Sequence, residues 1–244
     1  MVDEVLVQVG DDGEFQNVNL CAAWKGFSLL GRDAKQATLA EIEATEATPS
    51  TLVFGGVEAV RPYLDRLGRD PPELDYPEAL SSYLGREVRL STLGEIRSLY
   101  HEDGPAVFVK PVRQKLFKGH VVSRFRDLIG TASFPSDTPV YVVDPVDFVS
   151  EWRFYVRGSD VAGVGHYRGD PLLFPRPDNV LAAVEDFAVL GAPVAYGLDF
   201  GVVRGGQTLL VEVNDMFSLG SYGLDPVLYA TMIEERWEEI VGPS

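Results

Sequence analysis

Residues 209–223 read LLVEVNDMFSLGSYG, a strand-like run that breaks into a loop containing glycine. Because successive strand side chains point to opposite faces, Glu212 and Asn214 share one face of such a strand. A carboxylate and an amide oxygen held side by side on rigid backbone suit a hard divalent cation such as Mg²⁺. The solvated polar face of an edge strand is the alternative that these residues alone leave open.

The preceding stretch, YGLDFGVVRGGQTLLVEVN, is typical of a β-hairpin that turns at Gly205-Gly206. Pairing around that turn places Asp199 near the far end of the ribbon, close to Glu212 and Asn214. Three oxygen-bearing side chains then converge. With phosphate oxygens and water they complete the six-coordinate shell that Mg²⁺ prefers.

A second strand, SEWRFYV, carries charged residues on one face. Glu151 and Arg153 point the same way by the period-2 rule, with apolar side chains between and after them. A carboxylate can hold sugar hydroxyls, and an arginine can hold a phosphoryl group or a carboxylate with two hydrogen bonds. A cross-strand ion pair between Arg153 and an acid elsewhere in the sheet is the alternative.

The middle of the chain is basic although the protein is acidic, with a formal net charge of −16. The segment from Lys110 to Arg126 holds six bases and no acid. Lys110 ends an apolar strand, and Lys115 and Lys118 follow in a loop with Gly119, where backbone could approach a ligand. Such a segment suits a small polyanion, for which lysine is a compact point charge. An ordinary solvated basic loop is the alternative.

Composition excludes several other classes of protein. The 244 residues include 45% apolar residues and a single cysteine, Cys21, so the chain has an ample core and no internal disulfide. The acidic charge argues against nucleic acid and anionic membrane as partners, and no apolar run is long enough to span a bilayer. The acidic N-terminus argues against a secretory signal, which favours a cytoplasmic location. Phosphate-loop and dinucleotide-binding glycine motifs are both missing.

The order of elements predicts strands at EVLVQV, TLVFGG, AVFVKP and VYVVDPV, then a hairpin turning near Gly158 to Asp160. A helix capped by Asp178 and a closing helix capped by Asp225 follow. Prolines concentrate in GRDPPELDYPEALSSYLGREV, which indicates a boundary region. The chain therefore divides into a first part of alternating strands and helices and a longer second part.

Taken together, FVKP, KLFKG, SEWRFYV, YGLDFGVV and LVEVNDMFSLGSYGL resemble the ATP-grasp superfamily, and within it the clade named for one arginine and two lysines. The similarity covers roughly residues 70–240. It implies a fold of mixed α/β and α+β class, with a small N-terminal α/β domain over residues 1–75 and an ATP-grasp domain over residues 76–244. The two subdomains of the latter would meet at a hinge near residues 141–150. ATP and Mg²⁺ are the implied cofactors.

The resemblance assigns a role to the residues already singled out. Arg153 and Lys115 are the expected catalytic residues. The residues assigned to ATP are Lys110, Lys115, Lys118, Val142, Val143, Asp144 and Glu151. Within this set, residues 142–144 fall where backbone groups receive adenine, and Glu151 matches a ribose-binding carboxylate. The residues assigned to Mg²⁺ are Asp199, Glu212 and Asn214, and the candidates for acceptor contacts are Ser218 and Tyr222.

Two positions depart from the family's pattern. Lys118 stands where a small polar residue is expected. Many ATP-grasp ligases place an arginine two residues before the metal-binding aspartate, and that position here is Gly197. The hypothesis that follows is that Arg153 takes over the transferred phosphoryl group.

The resemblance also implies a reaction. The expected activity is ATP- and Mg²⁺-dependent ligation of a carboxylate to an amine through an acyl phosphate, on a peptide or an amino-acid-like small molecule. A small-molecule kinase with the same ATP site and a nucleotide-binding module without turnover are the alternatives. The sequence identifies neither the acid nor the amine, and it leaves the oligomeric state open.

Overall fold

The computed structural model of the protein describes residues 2–100, 103–114 and 116–242, which form three sheets with helices packed on them. The first sheet is parallel, in the order β2-β1-β3. Its elements are β1 (Glu4–Val9), α1 (Val18–Leu29), β2 (Asp33–Thr38), α2 (Leu39–Ala44), β3 (Thr51–Phe54) and α3 (Val57–Arg66). Asn17 caps the start of helix α1, because its side chain accepts hydrogen bonds from the backbone N–H groups of Asn19 and Leu20.

The second sheet is antiparallel, in the order β4-β7-β5-β6. A 3₁₀ turn (Glu78–Leu80) and the short helix α4 (Ser81–Leu84) lead into it. Its elements are β4 (Val88–Thr92), α5 (Leu93–Leu99), β5 (Val107–Pro111), β6 (His120–Val122), a 3₁₀ helix (Phe125–Thr131) and β7 (Pro139–Val143). Lys110 lies near the end of β5, as the sequence predicts.

The third sheet is also antiparallel, in the order β11-β10-β8-β9. Its elements are β8 (Phe148–Arg157), β9 (Asp160–Gly169), α6 (Pro177–Val189), β10 (Ala195–Val203) and β11 (Thr208–Asp215). A 3₁₀ turn (Met216–Ser218) and helix α7 (Pro226–Val241) close the chain. Both predicted hairpins are confirmed, with Gly205 and Gly206 at the second turn in the positive-φ conformation that glycine adopts readily.

Register in the third sheet decides which side chains meet. Asp199 on β10 lies opposite Arg153 on β8 and opposite Glu212 on β11. Cross-strand partners share a face, so the polar residues of all three strands form one surface. The other face of the sheet is apolar and packs on α6, with Phe154, Leu198, Phe200 and Phe187 in a common core.

The largest core joins the two ends of the chain. Helix α7 packs on the first sheet, where Tyr229 and Trp237 meet Phe54 and Tyr63. The same core continues to Tyr155 in the third sheet. The predicted division at residue 75 stays a proposal, and the core that α7 completes belongs to both sides of it.

One predicted cap is wrong and another is confirmed. Helix α6 starts at Pro177, so Asp178 lies inside its first turn and makes no cap. Proline takes the first helical position because the missing N–H has no intrahelical partner there. Asp225 does cap α7, accepting hydrogen bonds from the backbone N–H groups of Val227 and Leu228. None of the helices in the described ranges has both the length and the apolar composition needed to cross a bilayer.

Candidate active site

The polar face of the third sheet gathers the charged residues that the sequence singles out. Glu151, Arg153 and Asp199 are buried there, each at most 6% exposed. Glu212 and Asn214 on β11 complete the group. Isolated buried charges are strongly unfavourable, so each of these charges requires a partner. The partners below show how this face is organised.

Arg153 and Asp199 form a bidentate ion pair. Arg153 donates through Nε to Asp199 Oδ1 at 2.7 Å and through Nη2 to Oδ2 at 2.6 Å. Burial opposes the charged guanidinium, but the carboxylate outweighs it, so the pKa of Arg153 lies above its ordinary value. The guanidinium also lies over the rings of Tyr167 and Tyr222, 5.6 and 5.0 Å from their centroids. The cross-strand ion pair considered for this residue is therefore present, with Asp199 as the acid.

Lys110 makes the second cation–carboxylate contact. It donates to Glu212 Oε2 at 2.7 Å and makes a short hydrogen bond to Asp75, a residue that the sequence analysis missed. Burial would lower the pKa of Lys110, and the two carboxylates raise it well above its ordinary value. The ammonium therefore stays charged at any physiological pH. It connects β5 of the second sheet with β11 of the third.

The three predicted metal ligands lie together. Asn214 donates through Nδ2 to Asp199 Oδ2 at 3.1 Å and to Glu212 Oε1 at 3.3 Å. Among the described residues no group of three or more His, Cys, Asp and Glu side chains could hold a metal ion, so a cation here relies on two carboxylates and an amide. That donor set fits Mg²⁺, which is usually held by one or two carboxylates with water and phosphate completing the shell. Rotation of the Asn214 amide would present its oxygen to such a cation.

A cavity of about 420 Å³ opens above this face, between the second and third sheets. Its lining includes Glu151, Arg153, Asp199 and Glu212, and its walls include the apolar side chains of Phe108, Val121, Val143 and Phe148. Of the segment predicted to receive adenine, Val143 and Asp144 line the cavity. The Val142 side chain instead packs into the core of the second sheet. Contact between these backbone groups and adenine stays a prediction.

Glu151 is bound by two side chains of the neighbouring strand β9. Tyr167 donates through its hydroxyl to Oε2 at 2.8 Å, and Arg168 donates to Oε1 at 2.5 Å. Tyr167 was not among the residues predicted for the site. The predicted turn near Gly158 carried a signal for it, because counting back along the hairpin brings residues 166–168 opposite Glu151.

An adjoining cavity of about 410 Å³ lies on the lysine side of the site. Lys110 and Lys118 line it together with Asp75, Gln114, Glu212 and Asn214. Lys115 lies outside the described residues. Two of the three predicted lysines therefore face one cavity, which they share with the carboxylates of Asp75 and Glu212. Binding of phosphate groups there stays a prediction.

A third cavity, of about 290 Å³, is bordered by Arg153 and Asn214. The predicted acceptor residues Ser218 and Tyr222 line it, together with Asn17, Asn19, Gly55 and Gly56. These four belong to the N-terminal unit, which is the first sheet with its helices (residues 4–66). Tyr222 also lines the 420 Å³ cavity, and it is the sole non-glycine residue with positive φ (38°) in the described part of the chain. Strained backbone of this kind persists where surrounding structure holds it and is common at functional sites.

Residues 83–232 match family 2 of the ATP-grasp domains in the clade named for one arginine and two lysines. The chain belongs to this ATP-grasp family. The predicted family, the predicted fold and the assignment to the ATP-grasp enzymes are confirmed. No curated protein sequence is significantly similar to this ATP-grasp protein.

Solved structures share the fold of this ATP-grasp protein at low sequence identity. The D-cycloserine synthetase DcsG superposes with a TM-score of 0.58 at 13% identity, covering 96% of this chain and 99% of the other. A D-alanine–D-alanine ligase from Bacillus anthracis in complex with ATP gives 0.56 at 15% identity, covering 98% and 97%. A RimK domain protein from Sphaerobacter thermophilus gives 0.53 at 18% identity, covering 98% and 100%. At these identities the similarity shows a common fold.

Proposed function

We propose that this ATP-grasp protein joins a carboxylate to an amine with consumption of ATP. In the first step a carboxylate oxygen of the acid attacks the γ-phosphorus, the bond to the β-phosphate oxygen breaks, and ADP leaves with an acyl phosphate formed. In the second step the amine attacks the acyl carbon, inorganic phosphate leaves and the amine loses a proton. The proposed substrate is a peptide or an amino-acid-like molecule.

The observation that carries the proposal is the position of one charged surface between cavities. Arg153 lines both the 420 Å³ cavity and the 290 Å³ cavity. Asn214 lines both the 290 Å³ cavity and the lysine-side cavity, which Lys110 also lines. Phosphoryl transfer needs positioning and charge neutralisation more than covalent help from protein. A nucleotide on one side and an acceptor on the other would meet at Arg153.

Each group has a proposed role in that arrangement. Lys110 and Lys118 neutralise phosphate oxygens, with Lys115 assigned to the same task by resemblance. Glu151 holds ribose hydroxyls and Arg153 orients the transferred phosphoryl group. Asp199, Glu212 and Asn214 hold Mg²⁺, which when bound neutralises the charge that develops on that group.

The third cavity is the proposed acceptor site. Its lining is dominated by amide, hydroxyl and backbone groups, and its two charged side chains, Arg153 and Asp215, are both paired. Such a surface suits a polar substrate recognised by hydrogen bonds. Solved structures with this fold include enzymes described as D-alanine–D-alanine ligase and D-cycloserine synthetase, which supports an amino-acid-like acceptor.

The first test is thermal unfolding with ATP, with Mg²⁺ and with both, for the wild type and for Glu212→Gln. A ligand at a hundred times its dissociation constant adds about 2.7 kcal/mol to stability. We expect stabilisation by the two ligands together and its loss in Glu212→Gln. Glu235→Gln is the matched control, because Glu235 binds Arg157 at 2.8 Å on the same sheet but far from the cavities. Equal stabilisation of all three proteins contradicts the proposal.

Arg153→Ala is a weaker test of the same site. It leaves the buried Asp199 carboxylate without its bidentate partner, which removes about 3–5 kcal/mol of stability. Loss of activity in that variant would not separate catalysis from unfolding.

Product analysis separates ligation from the alternatives. With ATP, Mg²⁺ and a panel of acids and amines, a ligase releases ADP and phosphate only when both substrates are present, and an amide forms. A kinase yields a stable phosphorylated product without the amine. A nucleotide-binding module is stabilised by ATP and Mg²⁺ and shows no turnover with any pair.

A further inference from the structure

Asp75 lies in the segment that connects the N-terminal unit to the second sheet, outside residues 83–232 that match the family. Its backbone oxygen accepts a hydrogen bond of 2.9 Å from Val213 N. Val213 stands between Glu212 and Asn214 on β11, so this bond fixes the connecting segment beside the proposed metal ligands. The side chain is 1% exposed.

The Asp75 carboxylate has one oxygen engaged and one without a partner. Oδ1 accepts from Lys110 Nζ, and Oδ2 is buried with no hydrogen-bond partner in the described part of the chain. A buried carboxylate oxygen without a hydrogen-bond partner is unfavourable, because its lost hydration is not replaced. A native protein that keeps such a group has a reason for it, and here the carboxylate lines the lysine-side cavity.

Lys110 is shared between two acids with different tasks. Its ammonium has three donors, of which one goes to Asp75 and one to Glu212 Oε2 at 2.7 Å. An ammonium and a divalent cation compete for the same carboxylate, since both are attracted to the same oxygens. Glu212 can bind a divalent cation without competition only if the Lys110 ammonium is bound by another group.

We propose that Asp75 is a positioning residue that keeps Lys110 on the phosphate side of the site when Glu212 is engaged by Mg²⁺. Asp75 contacts neither nucleotide nor metal in this role. It acts through Lys110, giving the ammonium a carboxylate partner that has no second task. The inference rests on the proposed function.

Asp75→Asn tests the role, because it removes the charge and keeps the shape. Thermal unfolding is measured at increasing Mg²⁺ with ATP fixed, and at increasing ATP in EDTA. In the variant Lys110 stays on Glu212, so the Mg²⁺ concentration for half-maximal stabilisation rises about ten- to a hundred-fold, the range carried by a hydrogen bond to a charged group. Binding of metal-free ATP is unchanged or tighter, because the site has lost a negative charge.

Glu73→Gln is the matched control from the same segment. Glu73 also has a buried oxygen without a partner in the described residues, but it contacts Arg61 at 2.7 Å and the backbone of Gln114 rather than Lys110. Its Mg²⁺ midpoint should match the wild type. If Asp75 has a purely structural role, Asp75→Asn weakens the binding of ATP both with and without Mg²⁺. That result overturns the proposal.

A second variant pair keeps the test decisive if Asp75→Asn is unstable. Lys110→Met and Lys110→Met/Asp75→Asn should have the same Mg²⁺ midpoint, because Asp75 acts only through Lys110. A different midpoint in the double variant refutes that route. If Mg²⁺ and ATP stabilise the wild type and Asp75→Asn has the same Mg²⁺ midpoint, the positioning role alone is overturned. If neither ligand stabilises the wild type, the proposed function is overturned with it.

Discussion

At the scale of single residues, buried groups differ in whether they have a partner. Tyr196 on β10 packs edge-on against Phe187, and its hydroxyl is buried with no hydrogen-bond partner among the described residues. Burial raises its pKa to about 12. We expect Tyr196→Phe to raise the free energy of unfolding by about 1 kcal/mol at pH 7, because the substitution removes an unsatisfied polar group. Urea unfolding measures the difference.

The same substitution has a pH signature. The folded-state pKa lies above the ordinary value of 10.0, so the unfolded chain ionises first. The contribution of Tyr196 to the free energy of unfolding is intact below pH 10 and is lost as the pH rises through about 12. The Tyr196→Phe variant does not lose stability in this pH range for that reason, because phenylalanine does not ionise. Tyr83→Phe is the control, because its hydroxyl donates to Asp186 at 2.6 Å, and its removal should lower stability at pH 7. A destabilised Tyr196→Phe at pH 7 would show that the hydroxyl is hydrogen-bonded in solution.

At the scale of elements, the Arg153 side chain runs directly over Gly197 on the neighbouring strand. A Cβ there would lie 2.7 Å from Leu219 Cδ2 and 3.4 Å from Arg153 Cδ. The arginine that many ATP-grasp ligases carry at this position would occupy the space through which Arg153 reaches Asp199. The departure from the family pattern and the ion pair therefore have one physical cause.

Gly197→Ala tests this relation. The methyl forces Leu219 to move and leaves Arg153 Cδ no free space on that side. A resulting shift of the guanidinium should lower ATP-dependent turnover about tenfold, because misplacing a catalytic group by about 1 Å can change rates by up to a hundredfold. Gly163→Ala is a matched control. Gly163 and Gly197 lie opposite Tyr155 on the two strands that neighbour β8. A Cβ at position 163 would contact the end of the Leu224 side chain and the Tyr155 ring, and it would not contact Arg153. Both should destabilise by about 1 kcal/mol, so equal activities would contradict the relation.

Sequence patterns predicted the hairpins of the third sheet because strand alternation and turn glycines are local signals. The approach of Asp199, Glu212 and Asn214 followed from the turn position alone. Strand β2 was missed because DAKQAT has a single buried residue, Ala37, and no alternation. The role of Asp75 was beyond such reasoning, since Asp75 lies in an irregular segment and its partner Lys110 is 35 residues away on β5.

At the scale of the whole molecule, the chain closes on itself through α7. Trp237 is 1% exposed, lies 6.0 Å from the Tyr63 ring and donates to the Pro49 carbonyl at 3.1 Å. Tyr229 meets Phe54 in the same core. The apolar side of the last helix is thus covered by residues from the first 63 of the sequence, and most of the family-matched residues lie between these two ends.

A fragment of residues 76–244 should therefore fail to fold cooperatively, because α7 loses the residues that cover Tyr229 and Trp237, among them Phe54 and Tyr63. Losing one large buried aromatic contact removes about 3–5 kcal/mol, comparable to the 5–15 kcal/mol that stabilises a typical domain. The urea unfolding curve, monitored by circular dichroism, should slope continuously without a cooperative transition. Addition of residues 1–75 in trans provides the control and should restore part of the transition. A sharp transition in the fragment alone would establish residue 75 as a boundary between independent domains.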